Sequence, residues 1–217
     1  MKRNVALALC LLGLFGHSDG HDTASKELIE LLVSVPNYAA EFEQSTRDER
    51  GKSRQTQLGR VAFSRSHGFR WQIDEPFSQV MVAKHDALYV HDLDLEQLTV
   101  TDLRDLPDSA FSLLLMNASE ESLARFVVER SPAADESGAV GYLLEPKDDK
   151  SVFQQLRIYF VEGVMTRIEV VDHFGHQTDV LFRNPRTNQV VELSEFELVV
   201  PEGTDVIGDV TNRDPSG

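Results

Sequence analysis

Residues 57–101 alternate between apolar and polar side chains in several short runs, which is the period-2 pattern of half-buried β-strands. The apolar positions of these runs are Phe69, Trp71, Ile73, Val80, Val82, Leu88, Val90, Leu98 and Val100. Glu75 and Pro76 separate two of the runs, and His85 and Asp86 separate the next two. Because a parallel crossover needs a dozen or more residues, strands this close together are predicted to be antiparallel neighbours.

The second face of the predicted sheet is also partly apolar. Its apolar residues are Val61, Phe63, Met81, Ala83 and Tyr89. An extended apolar surface of this kind is rarely left in contact with water. The pattern therefore predicts that a further apolar layer lies against the sheet.

Two helices accompany the strands. Leu28, Leu31 and Leu32 have helical spacing, with Thr23 or Ser25 as the predicted N-cap. The second helix is predicted at residues 108–116, where apolar side chains nearly encircle the axis. Further strands are predicted at residues 38–46, 55–64, 126–130, 140–145, 152–160, 164–172 and 178–183. We therefore predict an α+β fold in which a strongly curved antiparallel sheet of about 11 strands forms an unclosed β-barrel, with helices as a lid over its concave apolar face.

The first 20 residues are typical of a secretory signal peptide. Lys2 and Arg3 precede an apolar run at residues 5–15, which is shorter than the roughly 20 residues that cross a bilayer. The apolar run continues beyond Cys10, the one cysteine of the chain, which argues against lipidation there. We expect a soluble, exported mature protein with one domain at residues 21–207 and a disordered tail at residues 208–217.

Charge and side-chain chemistry narrow the function classes. The formal net charge of −15 argues against binding to nucleic acid and against adsorption to anionic lipid. Residues 92–96 start like a calcium loop, but Gln97 stands where the loop needs glycine. His173 and His176 lie close together without a third candidate ligand. We predict no catalytic site, no metal and no cofactor.

Several blocks of the sequence carry a family resemblance. The first consists of Arg65, Phe69, Arg70, Trp71, Glu75, Pro76, Tyr89, Asp92, Asp94, Leu95, Gln97, Leu98, Thr99 and Val100. Later blocks consist of Asp172, Gly175, Gln177, Thr178, Phe196, Leu198, Pro201, Gly203, Asp205, Val206 and Ile207. In this order they resemble the periplasmic outer-membrane lipoprotein carriers, the LolA family of Gram-negative bacteria. The sequence departs from the family at Ser66, where proline is usual, and at Tyr89, where tryptophan is common.

The resemblance implies a periplasmic chaperone without enzymatic activity. Such a carrier binds the acyl chains of lipoproteins that an inner-membrane ABC-type complex releases, and delivers them to an outer-membrane receptor; a monomer is expected. The predicted cavity residues are Phe63, Phe69, Trp71, Ile73, Val80, Met81, Leu88, Tyr89, Phe111, Leu114, Leu115 and Met116. Arg65 is expected to hold the lid helix closed through hydrogen bonds to its backbone.

Two alternatives remain open at the level of sequence. The same fold could carry or sense another envelope lipid, which identification of co-purifying lipid would reveal. A hydrolase acting on envelope substrates would instead depend on a single catalytic residue, and the sequence offers no candidate for one.

Overall fold

The computed structural model describes residues 19–106, 119–132, 138–148 and 151–208. Helix α1 spans Asp19–Ser34 and ends just before Pro36, which cannot continue a helix. The predicted N-caps Thr23 and Ser25 lie inside this helix, so the predicted start was wrong. The predicted lid helix at residues 108–116 and most of the predicted tail lie outside the described residues.

The described part of the chain contains twelve strands in one sheet. In chain order they are β1 (Asn37–Arg47), β2 (Ser53–Ser64), β3 (Gly68–Glu75), β4 (Gln79–Lys84), β5 (Ala87–Asp92), β6 (Gln97–Asp102), β7 (Phe126–Pro132), β8 (Ala139–Pro146), β9 (Phe153–Val161), β10 (Val164–Asp172), β11 (Gln177–Thr187) and β12 (Asp205–Gly208). Short helical turns lie at Leu103–Asp105, Glu120–Leu123 (helix α2) and Leu193–Phe196. The predicted strongly curved, unclosed sheet is confirmed.

The order across the sheet is β12-β6-β5-β4-β3-β2-β1-β11-β10-β9-β8-β7. Hairpins therefore build two blocks, β1 to β6 and β7 to β11, which join where β1 pairs with β11 from Tyr38 opposite Thr187 to Arg47 opposite Gln177. Every pairing is antiparallel except that of β12 with β6, which is parallel. This short edge strand in the C-terminal segment is not among the about 11 strands predicted from the sequence.

The larger hydrophobic core lies on the concave face, between the sheet and α1. Phe42 of β1 stacks on Trp71 of β3 with ring centroids 3.9 Å apart, and Phe182 of β11 meets the same indole edge-on at 6.3 Å. Gly59 of β2 makes this stack possible, because a Cβ there would lie 2.5 Å from a ring atom of Phe42 and 2.0 Å from the Gln72 carbonyl oxygen. Leu28 of α1 is fully buried against this core.

A second core lies on the opposite, convex face. Phe196 and Leu198 of the C-terminal segment are buried there against residues of β2 and β4 to β6. The Arg70 guanidinium holds this segment by donating hydrogen bonds to the carbonyl oxygens of Glu195 (3.4 Å) and Glu197 (3.1 Å). The predicted second apolar layer therefore exists, and the chain supplies part of it itself.

The described residues also bear on membrane association. Among residues 19–106, 119–132, 138–148 and 151–208, no helix has the length and apolarity needed to cross a bilayer.

Candidate functional site

A cavity lies between the concave face of the sheet and the C-terminal half of α1. It is walled by side chains from α1, β1 to β3 and β9 to β11. Its lining residues are Leu31, Leu32, Val35, Tyr38, Val61, Phe63, Arg65, Phe69, Trp71, Phe160, Met165 and Phe182. All but Arg65 present apolar or aromatic surface, so the site is suited to a hydrocarbon ligand.

The cavity is small in this structure. Its volume is about 60 Å³, which is well below the range of roughly 300–1,000 Å³ of small-ligand pockets. A long acyl chain needs far more room than this. Ligand entry therefore requires the cavity to widen.

Tyr38 shows how the polar atoms around the cavity are satisfied. Its ring is buried in the apolar wall, and its hydroxyl donates a hydrogen bond to the Met165 carbonyl oxygen at 2.8 Å. Burial raises the pKa of Tyr38, so the hydroxyl stays neutral at physiological pH. A phenol that is neutral and paired leaves the wall apolar.

Arg65 supplies the positive charge of the cavity. It follows the last residue of β2, and its Nη2 donates a hydrogen bond to the Leu32 carbonyl oxygen at 2.5 Å. Leu32 lies in the last turn of α1, where carbonyl groups lack partners within the helix. That turn contains no basic residue of its own, so Arg65 brings a cation to the negative end of the helix from the neighbouring sheet.

Contacts of the backbone and of the guanidinium orient the Arg65 side chain. Its backbone N–H donates to the Pro36 carbonyl oxygen at 3.0 Å, and its guanidinium lies 5.6 Å from the ring centroid of Phe63. Burial lowers the pKa of Arg65 from its ordinary value, but a guanidinium remains protonated in proteins. The bond to α1 is therefore charge-assisted.

The turn after Arg65 contains Ser66 and is held by side-chain contacts. The hydroxyl groups of Ser64 and Ser66 are 3.1 Å apart, and both lie within 3.3 Å of His67 Nδ1. The His67 ring in turn stacks on Phe196 of the convex core at 6.2 Å. This local network links the turn that follows Arg65 to the convex core.

Most of the predicted cavity residues that the structure describes lie on the concave side. Phe63, Phe69 and Trp71 line the cavity. Ile73, Met81 and Leu88 belong to the same concave core farther along the sheet. Phe111, Leu114, Leu115 and Met116 lie outside the described residues, so their part in the site stays a prediction.

Val80 and Tyr89, which were predicted to line the cavity, lie on the other face of the sheet. Both are buried in the convex core, whereas their neighbours Met81 and Leu88 point to the concave side. Period-2 alternation says that successive side chains point to opposite faces, but it does not say which face is which. The register of β3 with β4, which sets Trp71 opposite Met81, decides the matter.

The cavity residues of α1 and of β9 to β11 were not predicted from the sequence. Phe160, Met165 and Phe182 lie in predicted strands, but only the pairing of β1 with β11 brings these strands beside Tyr38 and Trp71. Arg65 was expected to bond to the helix at residues 108–116, and the bond described here is to α1.

The metal-like motifs have structural roles. Asp92 Oδ1 accepts the backbone N–H groups of Asp94 and Leu95, which closes a tight turn between β5 and β6. His176 Nδ1 lies 2.8 Å from Asp172 Oδ2, and His173 Nε2 lies 2.9 Å from the Ser151 carbonyl oxygen. Within the described ranges, no three His, Cys, Asp or Glu side chains are grouped to hold a metal ion.

Comparison with known proteins gives a consistent family. Residues 34–199 match the family model described as outer membrane lipoprotein carrier protein LolA. The outer-membrane lipoprotein carrier protein of Azotobacter vinelandii is 32% identical over 182 residues, covering 84% of this chain and 86% of the relative. That of Pseudomonas syringae pv. tomato is 30% identical over 203 residues, covering 94% and 96%.

A solved structure shares the fold. An uncharacterized conserved protein from Thermus thermophilus has a TM-score of 0.54 at 12% sequence identity, with 86% of this chain and 98% of that chain covered. At this identity the likeness concerns the fold alone.

Proposed function

This chain belongs to the LolA family of outer-membrane lipoprotein carriers, and from that membership we propose that it binds the acyl chains of lipoproteins and carries them through the periplasm. The observation that carries the proposal is the apolar cavity under α1, with Arg65 bonded to the end of that helix. A hydrocarbon-lined space behind a hydrogen-bonded helix suits a ligand that must be hidden from water and later released.

Free energies of transfer explain why a carrier is needed. Each methylene group removed from water contributes about 0.8 kcal/mol, so a lipoprotein with two or three long acyl chains would cost tens of kcal/mol to expose. A cavity of comparable apolarity removes most of that barrier. The closed form must also be stable enough to compete with the lipid, since otherwise the cargo would never leave.

The bond from Arg65 to Leu32 provides this competition. It exists in the form with the small cavity, and moving α1 away to admit an acyl chain breaks it. Lipid binding is then weakened by the free energy of the bond, and release is favoured by the same amount. Arg65 thus sets the balance between loading and delivery.

The partners follow from the same proposal. The carrier receives lipoproteins from an inner-membrane ABC-type release complex and passes them to an outer-membrane receptor, acting as a monomer. It performs no chemical step on its cargo. No cofactor and no nucleic acid takes part.

A pair of matched variants on β2 and β10 tests the cavity. Phe63→Gln and Met165→Gln place a polar amide in the wall and should weaken binding of a triacylated lipopeptide at least tenfold, because an amide without a partner is costly in an apolar site. Leu58→Gln is the control, since Leu58 lies on β2 and is 44% exposed.

Binding is followed by the fluorescence of Trp71, which is the one tryptophan of the chain and lines the cavity. Thermal unfolding of each variant checks that the fold persists. Equal affinity of all three variants and the unmodified protein would place the lipid elsewhere.

A further inference from the structure

A groove opens beside the cavity, between α1 and the ends of β8 and β9. We call it the side groove, and it has a volume of about 630 Å³. This is within the range of roughly 300–1,000 Å³ of small-ligand pockets. The lining residues that matter here are Glu27, Glu30, Leu31, Val140, Phe160 and Glu162.

The side groove and the cavity share a wall. Leu31 of α1 and Phe160 of β9 line both spaces. Gly163, in the turn after β9, lies close to the same leucine, since a Cβ added there would be 3.9 Å from Leu31 Cδ2. A molecule that moves past Leu31 therefore passes from the side groove directly into the cavity.

The electrostatics of the side groove differ from those of the cavity. Three carboxylates, from Glu27, Glu30 and Glu162, face one guanidinium, from Arg130. Glu27 accepts a hydrogen bond from the Tyr142 hydroxyl at 3.1 Å and lies 3.9 Å from Arg130, so this pair of contacts ties α1 to β7 and β8. Glu30 and Glu162 are exposed on either side of the groove.

The carboxylates of the side groove disfavour binding of a hydrocarbon chain and favour binding of a peptide. An acyl chain laid along the side groove would remove water from the carboxylates without replacing their hydrogen bonds. Extended polypeptide instead offers backbone N–H groups, and basic side chains pair with carboxylates. The apolar floor formed by Leu31, Val140 and Phe160 accommodates its other side chains.

We propose that the side groove holds the polypeptide segment of the cargo that directly follows its acylated cysteine, with a preference for basic residues in that segment. This inference rests on the proposed function, because it takes the cavity as the site of the acyl chains. The acyl chains and the first residues are covalently joined, and a residue spans at most about 3.6 Å. The segment must therefore leave through a space that adjoins the cavity, as the side groove does.

Two probes separate the peptide from the acyl chains. One is a tripalmitoylated cysteine amide without a peptide, and the other is the same group followed by Ser and four Lys residues. Both are titrated below micelle-forming concentrations, with Trp71 fluorescence as the signal. The unmodified protein should bind the lysine-tailed probe more tightly, and added salt should reduce the difference.

The variant Glu30→Gln/Glu162→Gln removes two of the groove carboxylates. It should reduce affinity for the lysine-tailed probe on the order of fivefold, as expected for two exposed ion pairs, and leave affinity for the cysteine amide unaffected. Glu121→Gln/Glu202→Gln is the control: it makes the same change in net charge at exposed residues outside the groove and should bind both probes normally.

The remaining outcomes overturn the inference. Equal weakening of both probes would mean that the carboxylates act on the cavity, and tighter binding of the cysteine amide would mean that the groove takes an acyl chain. Equal loss in the control variant would mean that only net charge matters. If the unmodified protein binds neither probe, the proposed function itself fails. If it binds both probes equally well, the proposed function stands and only the inference about the side groove fails.

Discussion

Replacing Arg65 by leucine tests the balance between closed and open forms. The variant loses the hydrogen bond from Nη2 to the Leu32 carbonyl oxygen, which exists only while α1 covers the cavity. It keeps the bond from the backbone N–H of residue 65 to the Pro36 carbonyl oxygen. The cation–π contact joins Arg65 to Phe63 of β2 and does not involve α1, so its loss does not favour the open form over the closed form.

A charge-assisted hydrogen bond contributes about 1.5–3 kcal/mol, and the lower part of this range applies because Arg65 is only partly buried. A loss of about 1.5–2 kcal/mol from the closed form corresponds to a shift of roughly 10- to 30-fold toward the open form. Arg65→Leu should therefore bind a triacylated lipopeptide at least as tightly as the unmodified protein and release it more slowly. Arg65→Lys should fall between them, because it keeps the charge and loses the planar fork.

The assay loads each protein with fluorescent lipopeptide and measures transfer to the purified outer-membrane receptor. Arg60→Leu is the matched control: Arg60 lies on β2, pairs with Asp74 at 3.4 Å, and has a side chain that is 64% exposed. Transfer from Arg65→Leu at the rate of the control would show that the bond to α1 does not govern release.

Further predictions concern the lid helix, the convex core and the loop after β10. Leu114→Glu or Leu115→Glu should abolish lipopeptide binding while circular dichroism shows that the sheet is intact. Unfolding of these variants would instead show that the segment belongs to the hydrophobic core and is not a lid. Phe196→Ala should lower the free energy of unfolding by about 3–5 kcal/mol, measured in urea, because its side chain is fully buried; a change below 1 kcal/mol, roughly a surface effect, would contradict this. Burial of Asp172 acts to raise its pKa, but hydrogen bonds from His176 and from backbone N–H groups lower the pKa overall. The ionised carboxylate therefore stabilises the fold above the ordinary pKa of about 3.9, and this stabilisation is lost as the pH falls below that value. Asp172→Asn should flatten the loss of stability between about pH 5 and pH 2, seen in unfolding at a series of pH values; an unchanged slope would refute the assignment.

The sequence predicts most of the strands because alternation is a local property. Phe69, Trp71 and Ile73 fall on one face in the structure as the pattern requires. The pattern fails where both faces are apolar, as at Val80 and Tyr89, since the choice of face depends on register between strands. It also fails for β12, whose four exposed residues form a strand only because β6 offers a free edge.

The site is less predictable than the fold for a related reason. Phe63, Phe69 and Trp71 are close in sequence and were found together, whereas Met165 and Phe182 reach the cavity through pairings across the whole chain. The bond from Arg65 to α1 required knowledge of where the helix ends relative to β2. Neither relation is encoded in any one stretch of residues.

The pairing of β1 with β11 also has a consequence for how this molecule folds. β1 is among the first elements of the chain, yet one of its two partners lies near residue 180. Contacts between residues so distant in sequence slow folding, because loop-closure entropy is lost before the contact is made. Until β11 pairs with it, β1 presents an unpaired strand edge, which is the kind of surface that aggregates. A nascent or truncated chain that ends before β11 is therefore expected to depend on other proteins to keep it from self-association.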